Sequence, residues 1–346
     1  MTSDERIKTR ILIISDTHAA VPRSQLPVGQ SIDDEFNSSG FNIHRTPSGF
    51  RHPLPEADVV LHCGDLTKRS EPVEFEATFA MLRGLKAPLK LVIPGNHDGA
   101  LDRGWWSMWQ QPRRDPHMEI PGEAERIVEA ARQDGVRYLV EGDYTFNLAN
   151  GARLRVYASP WTPEYGTWGF QYGDSGHDFS IPAGVDIAMT HGPPQGVLDE
   201  TRWGGTRAGC DCLFRAIEHS KPRVHCFGHI HEGWGAYLAT WKTVENQYNV
   251  TTASAIDADQ SKFIEEPLPR GYRFPKDPQA QQADIELFKQ RARDRAILLD
   301  VSDGENKVKA NEQTLFVNAA IMDTSYRPLQ RPWLLDIDLP KSTPLN

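Results

Sequence analysis

The chain has 346 residues, 39% hydrophobic and 25% charged, with 38 basic against 47 acidic side chains and a net charge of −9. That length bounds it to one large domain or two small ones of ordinary globular composition. No basic block stands out, which argues against a nucleic-acid polymer held through its phosphates. A small anionic substrate would instead need local positive charge, most compactly supplied by bound metal ions.

The first ten residues, MTSDERIKTR, are polar and carry no apolar leader segment, and apolar runs along the chain reach only about five residues, so no membrane span and a cytoplasmic protein are expected. Ile11 to Ile14 reads as a buried strand running into Ser-Asp-Thr-His. Residues 19–56 show little periodicity and read as an insertion. Val59 to Leu61 runs into His-Cys-Gly-Asp, a helix is predicted over Val73 to Leu85, and Leu91 to Ile93 runs into Pro-Gly-Asn-His-Asp. A second helix is predicted over Glu123 to Gln133, stopped by Gly135, then a strand over Arg153 to Ala158. Ile187 to Met189 leads into Thr-His-Gly-Pro-Pro, a helix over Asp211 to His219 stops before Pro222, and Val224 to Phe227 leads into Gly-His-Ile-His. Residues 257–312 read as a second insertion. There Pro267, Pro269, Pro275 and Pro278 precede a charged helix at about Gln279 to Arg295, with a thin apolar stripe of Ile285, Phe288 and Ala292. It reads as an exposed decoration, with a partner-binding or dimerisation element as the alternative. Strands over Leu315 to Ala320 and Trp333 to Leu339 complete the sheet. Strands alternating with helices argue for α/β layers.

Several apolar runs end in Gly or Ser followed by Asp, His or Asn. In open α/β sheets ligands collect beyond the carboxyl ends of the strands, so these tips can converge. They are Asp16 and His18; Asp65; Asn96, His97 and Asp98; His191; His229 and His231. Oxygen and nitrogen donors without thiolate suit Mn, Fe or Zn better than a cysteine cage. Asp16 and His18 are two apart, as are His229 and His231, so each pair can share a direction at a strand end. Asp65 has two oxygens with which to bridge. Each fragment alone is common by chance; five in order at strand tips are not.

Together, Asp16-x-His18, Gly64-Asp65, Gly95-Asn96-His97-Asp98, His191 and Gly228-His229-x-His231 resemble the motifs of the calcineurin-like metallophosphoesterases. Further stretches, among them SPWTPEYGTWGF, PRVHCFGHIHEGWG and FVNAAIMDTSYRPLQRPWLLDIDLP, resemble the metallophosphoesterase-domain-containing branch. The resemblance implies a four-layer α/β/β/α sandwich with two mixed sheets, and so one domain over 1–346 with insertions at about 19–56 and 257–312. It implies one metal held by Asp16, His18, Asp65 and His231, and a second held by Asp65, Asn96, His191 and His229. Some members of the branch lack the histidine matching His231 and are weak in consequence; this chain keeps it. His97 resembles the family's non-ligand histidine and is assigned to protonating or stabilising the leaving oxygen, with Asp98 orienting its ring and favouring the charged form. Two cations sharing a water would lower its pKa and give a hydroxide nucleophile near neutral pH.

The expected activity is that of a phosphodiesterase on a small organic phosphate such as a cyclic nucleotide. The alternatives are a phosphomonoesterase of the same fold, or a binding protein that retains the metal site. The metals are two ions drawn from Mn, Fe, Zn or Mg. Trp161 and Trp168, in an aromatic run with Tyr165, Phe170 and Tyr172, are candidate walls of the substrate pocket, and Trp105, Trp106 and Trp109 are candidates to pack over it. Arg202 and Arg207 are candidate phosphate contacts, with ion pairing to Asp199 or Glu200 as the competing role. His62 and His225 read as core histidines, and His44, His52, His117, His177 and His219 as surface ones. Cys63, Cys210, Cys212 and Cys226 read as free thiols, their spacing fitting no disulfide framework.

Overall fold

A computed structural model of the chain describes residues 5–24, 28–34, 49–109, 119–201, 205–243, 250–267 and 276–342. In chain order, β1 (Arg6–Ile14) and β2 (Val59–His62) lead to helix α1 (Pro72–Gly84), then β3 (Leu89–Val92), α2 (Arg103–Trp109), α3 (Ile120–Ala130) and β4 (Val136–Tyr138). Next come β5 (Gly142–Asn147), β6 (Arg153–Ser159), the short pair β7 (Thr162–Pro163) and β8 (Gln171–Tyr172), and β9 (Ile187–Thr190). Helix α4 (Asp211–Ser220), β10 (Val224–Phe227), β11 (Gly235–Thr240), α5 (Thr252–Ala255) and β12 (Lys262–Glu265) follow. The chain ends with α6 (Pro278–Asp294), β13 (Ile297–Asp300), β14 (Gln313–Asn318) and β15 (Trp333–Pro340).

Six strands form one mixed sheet in the order β13-β15-β1-β2-β3-β4, and seven form another in the order β12-β11-β14-β10-β9-β6-β5. Period-two alternation explains how they stack. In β1, Ile11 and Ile13 enter a core that also holds Val156 of β6, Met189 of β9, Val224 of β10 and Val317 of β14. The two sheets therefore pack face to face. Leu12 and Ile14 point the other way, into a layer with Phe75, Phe79 and Leu82 of α1 and Ala124 and Val128 of α3. On the far side, Ala188, Phe227 and Phe316 of the second sheet meet Leu213, Phe214 and Ile217 of α4. The result is the α/β/β/α sandwich.

The predicted helices are found within three residues of their expected starts. Pro72 at the first turn of α1 and Pro278 at that of α6 place those starts one residue earlier than expected. β15 is not the outer strand. It lies between β1, antiparallel, and β13, parallel, so β13 makes that edge. Residues 257–312 supply an edge strand to each sheet, β12 and β13. Phe288 and Ala292 of α6 are buried, whereas Leu287 is 48% exposed.

β1, β2 and β3 run parallel in one sheet, and β6, β9, β10 and β14 run parallel in the other. A parallel bridge between Ser15 and Ala320 joins the sheets just past the carboxyl ends of β1 and β14. The tips that follow these strands open at this edge.

Candidate metal centre

Tight backbone turns build the site. Asp16, His18, Asp65 and His229 all sit in left-handed conformation, with φ of 51°, 45°, 54° and 67°. For non-glycine residues this is an unfavourable region, and strain of this kind concentrates where side chains are aimed for function. Backbone bonds lock the turns together: the Asp16 and His18 N–H groups donate to the carbonyls of Gly64 and Asp65, and Gly228 N–H to that of His191. Two glycines are required by closeness. A Cβ on Gly95 would overlap the Asp65 carboxylate and the His191 ring, and one on Gly228 would overlap the Asp16 carboxylate and Ser15.

Among the described residues three donor groups form, in each of which the donor atoms lie within 4.8 Å of one another: Asp16, His18 and His231; His18, Asp65 and His97; Asp65, His191 and His229. Asp65 faces both sides. Its Oδ2 lies 3.5 Å from His18 Nε2 and its Oδ1 lies 3.3 Å from His191 Nε2. Asp16 Oδ1 lies 3.3 Å from His231 Nε2. Asn96 Oδ1 lies 2.9 Å from His191 Nε2.

Hydrogen bonds behind the imidazoles settle which nitrogen faces inward. His18 Nδ1 lies 2.9 Å from the Thr67 carbonyl, His191 Nδ1 2.9 Å from that of Cys63, and His231 Nδ1 3.0 Å from that of Asp323. A carbonyl only accepts, so each Nδ1 carries a proton, and in its neutral form each ring turns a bare Nε2 lone pair toward the centre. The inward atoms are then acceptors facing acceptors: His18 Nε2 and His231 Nε2 lie 3.4 Å apart, and His191 Nε2 meets an amide oxygen. Such an arrangement is repulsive by itself and is resolved by cations between the lone pairs, so this donor set fits metal binding.

Electrostatics point the same way. Burial drives His18 down to about 4 and His229 down to about 3, which keeps both neutral. Burial opposes ionisation of Asp16 and Asp65, but the surrounding histidines outweigh it and hold both carboxyls below their ordinary range. On His231 burial is the largest single influence and pushes the pKa down, but the hydrogen bond to Asp16, the Asp16 charge and the Asp323 carbonyl together raise it above the ordinary value.

His97 and Asp98 are neighbours in sequence but do not work as a pair. Asp98 does not orient the His97 ring. Its buried carboxylate accepts from the N–H groups of Leu66 (3.0 Å), Thr67 (2.8 Å) and Gly95 (2.8 Å) and from the Thr67 hydroxyl (2.7 Å). Burial raises it to about 6, still ionised at neutral pH. It clamps the Asp65 turn to the Gly95 turn. Asp98→Ala should therefore orphan three buried N–H groups and cost on the order of 3 kcal/mol, measured by urea unfolding in the presence of chelator. A stability equal to wild type would contradict that role. His97 instead sets Nδ1 2.9 Å from the Lys68 carbonyl, and its N–H donates to Asp65 Oδ1 at 2.9 Å.

Trp168 lies against His97, with ring centroids 4.3 Å apart and planes tilted by 32°. Its loop is fastened to the site: Gly169 N–H donates to the Asn96 carbonyl and Phe170 N–H to Asp102. Trp161 packs on Phe170 and His177. Arg207 ion-pairs at 2.8 Å with the buried Asp199, whose other oxygen ties Gly196 and Gly209, so the guanidinium serves that loop. Arg202 lies outside the described residues, as do His44 and His117. Trp106 is buried in the layer between α1, α3 and the first sheet, and Trp105 packs against that layer, rather than over the cleft. His62 and His225 are buried with Nε2 on the hydroxyls of Thr17 and Thr190, and burial lowers them to about 4 and 3. His177 is not a bare surface residue: it pairs with Glu141 at 2.8 Å and stacks on Tyr172. Cys210 caps α4, its sulfur accepting from Leu213 N–H.

Sequence reasoning missed Tyr326. Its ring stands edge-on to His18 (4.8 Å) and His231 (5.3 Å), and its hydroxyl lies 3.4 Å from His97 Nε2. It also missed the carbonyls of Cys63, Thr67 and Asp323, which leave no trace in residue type.

Known proteins resemble this chain. The human metallophosphoesterase domain-containing protein 1 is 29% identical over 270 residues, 76% of this chain and 72% of that protein. A protein of Emericella nidulans named "Probable rhamnogalacturonate lyase C" is 32% identical over 199 residues, which is 56% of this chain but only 17% of that protein's length. A purple acid phosphatase from yellow lupin seeds aligns with 99% of this chain and 47% of its own at 11% identity and a TM-score of 0.34, a likeness that adds nothing to the fold already described. Residues 9–233, which carry all seven expected metal ligands, match the family model for calcineurin-like phosphoesterase. With the tips, the carbonyl-braced imidazoles and the shared Asp65 in place, the chain belongs to the calcineurin-like phosphoesterase family.

Proposed function

We propose that this chain is a metal-dependent phosphodiesterase, carried by a single domain, that hydrolyses a small organic phosphate such as a cyclic nucleotide. One observation carries the reading: Asp65 directs one oxygen to the His18 side and the other to the His191 side. Asp16, His18, Asp65 and His231 would hold one ion, and Asp65, Asn96, His191 and His229 the other. Ions held there, drawn from Mn, Fe, Zn or Mg, would neutralise phosphoryl oxygens and acidify a water. The chain's own residues do the rest. The carbonyls of Thr67, Cys63 and Asp323 keep the imidazoles aimed, so little reorganisation is needed as charge develops. His97 sits beside Asp65 with its Nε2 facing the Tyr326 hydroxyl, placed to give a proton to the departing oxygen. Trp168 offers a ring face beside it for an apolar or planar leaving group.

The proposal extends to a cytoplasmic setting and a small-molecule substrate. Among the described residues no helix is long and apolar enough to cross a membrane.

Hydrolysis of bis(4-nitrophenyl) phosphate tests the activity. Protein stripped with chelator should be inactive, and reloading with Mn²⁺ should restore turnover. The diester should be cleaved faster than 4-nitrophenyl phosphate. Faster cleavage of the monoester would make the protein a phosphomonoesterase, and no turnover of either ester with two ions bound would leave a binding protein.

A further inference from the structure

The turn at 323–327 lies beyond the residues that match the family model, yet it closes one side of the centre. Asp323 organises it: its carboxylate accepts from the N–H groups of Ser325 and Arg327 and pairs with the Arg327 guanidinium, while its carbonyl faces His231 Nδ1. The turn presents Tyr326 in left-handed conformation, φ 56°, with the side chain at the rim. Core packing does not account for that placement, because the residue is 37% exposed. Its ring covers His18 and His231, and the Lys68 ammonium stands 4.5 Å above the ring centroid. A cation over a phenol ring is attracted by the ring's negative face and helps to hold the ring in place. The same Lys68 offers its carbonyl to His97 Nδ1, so one residue braces both partners.

The Tyr326 hydroxyl and His97 Nε2 are 3.4 Å apart, long for a direct bond. Two polar atoms at that separation can each lie about 2.8 Å from a single third atom placed between and before them.

We propose that Tyr326 is a further catalytic residue, its hydroxyl and His97 Nε2 converging on the leaving oxygen of the ester. This rests on the phosphoesterase reading above. As the phosphorus–oxygen bond to the leaving group breaks, that oxygen takes the electron pair and the proton from His97 Nε2. The Tyr326 O–H donates a hydrogen bond to the same oxygen and keeps its proton. The residue therefore matters most when the leaving oxygen is basic.

The test compares wild type with Tyr326→Phe, which keeps the ring and its packing. Zinc-loaded protein is assayed on bis(4-nitrophenyl) phosphate and on an alkyl 4-nitrophenyl diester, with release of the alcohol followed separately from that of nitrophenol. Metal content and the imidazole nitrogen resonances of His97 are measured on the same samples. The expected result is equal zinc content, a moved His97 Nε2 resonance, and a loss of about tenfold or more in alcohol release against less than threefold in nitrophenol release. Equal losses for both leaving groups, or an unmoved His97 resonance, would overturn the role of Tyr326 while leaving the phosphoesterase reading intact. Wild-type protein inactive on both esters would overturn that reading and this proposal with it.

Discussion

Asp65→Asn is expected to abolish hydrolysis, with turnover falling by about 10³-fold or more. The two Asp65 oxygens lie 3.5 Å and 3.3 Å from histidine nitrogens on opposite sides of the centre. Asparagine offers one neutral acceptor and turns an N–H₂ toward lone pairs, so one side loses its oxygen and both lose the charge. Several kcal/mol of transition-state stabilisation depend on that charge, and each 1.36 kcal/mol is tenfold in rate. Metal analysis after reloading should fall from near two ions per chain to one or fewer, with far-UV circular dichroism unchanged. Full metal content with full activity would show that Asp65 does not bridge.

The strands that carry the ligands were legible because they are buried on both faces. Ile11 to Ile14 feeds Ile11 and Ile13 to one core and Leu12 and Ile14 to another, so its apolar run is unbroken. The proposed ligands were legible because Asp, His and Asn recur at the tips of apolar strands, where a binding role accounts for them. Asp98 was misread because adjacency was taken for contact. Past the Gly95 turn, residue 97 faces the cleft and residue 98 faces inward, so Asp98 reached the N–H groups of the turn and not the ring. Arg207 was legible only as a choice between a phosphate and Asp199, and burial of Asp199 decides it: an unpaired buried carboxylate is costly, so the guanidinium is recruited. Tyr326 was invisible for a different reason. It lies 95 residues after the last ligand, His231, in a turn whose position is set by the pairing of β14 and β15 within their sheets.

The backbone carbonyls matter as much as the side chains they brace, and no residue type announces them. Three of the four histidines proposed as ligands use one: the carbonyls of Cys63 and Thr67 flank the Asp65 turn, and that of Asp323 lies in the C-terminal turn. The protonation state of the site is thus a property of the fold. That explains why the C-terminal strands, which supply no metal ligand, still belong to the centre.

His97→Ala carries the second large effect, and its signature is selectivity. His97 is held from three sides: Nδ1 by the Lys68 carbonyl, the ring face by Trp168 at 4.3 Å, and Nε2 near the Tyr326 hydroxyl. None of these contacts holds a metal ion, so the variant should bind the same number of ions as wild type. A positioned general acid contributes about 10²- to 10⁴-fold, and only where the leaving oxygen needs the proton. Turnover should therefore fall about 10²-fold or more for release of an alkyl alcohol, and less than tenfold for nitrophenolate, which leaves readily without a proton. Inorganic phosphate should inhibit both proteins at similar concentrations, since its oxygens would meet the ions and not His97. A fall of the same size for both leaving groups would move His97 from acid to simple electrostatic partner of Asp65. Loss of metal would place its Nε2 among the ligands, as the grouping of His18, Asp65 and His97 permits on distance alone. The proposed ligands on either side, His18 and His231 on one and His191 and Asn96 on the other, leave His97 free for the acid role, so retention of metal with a selective loss of rate is the expected outcome.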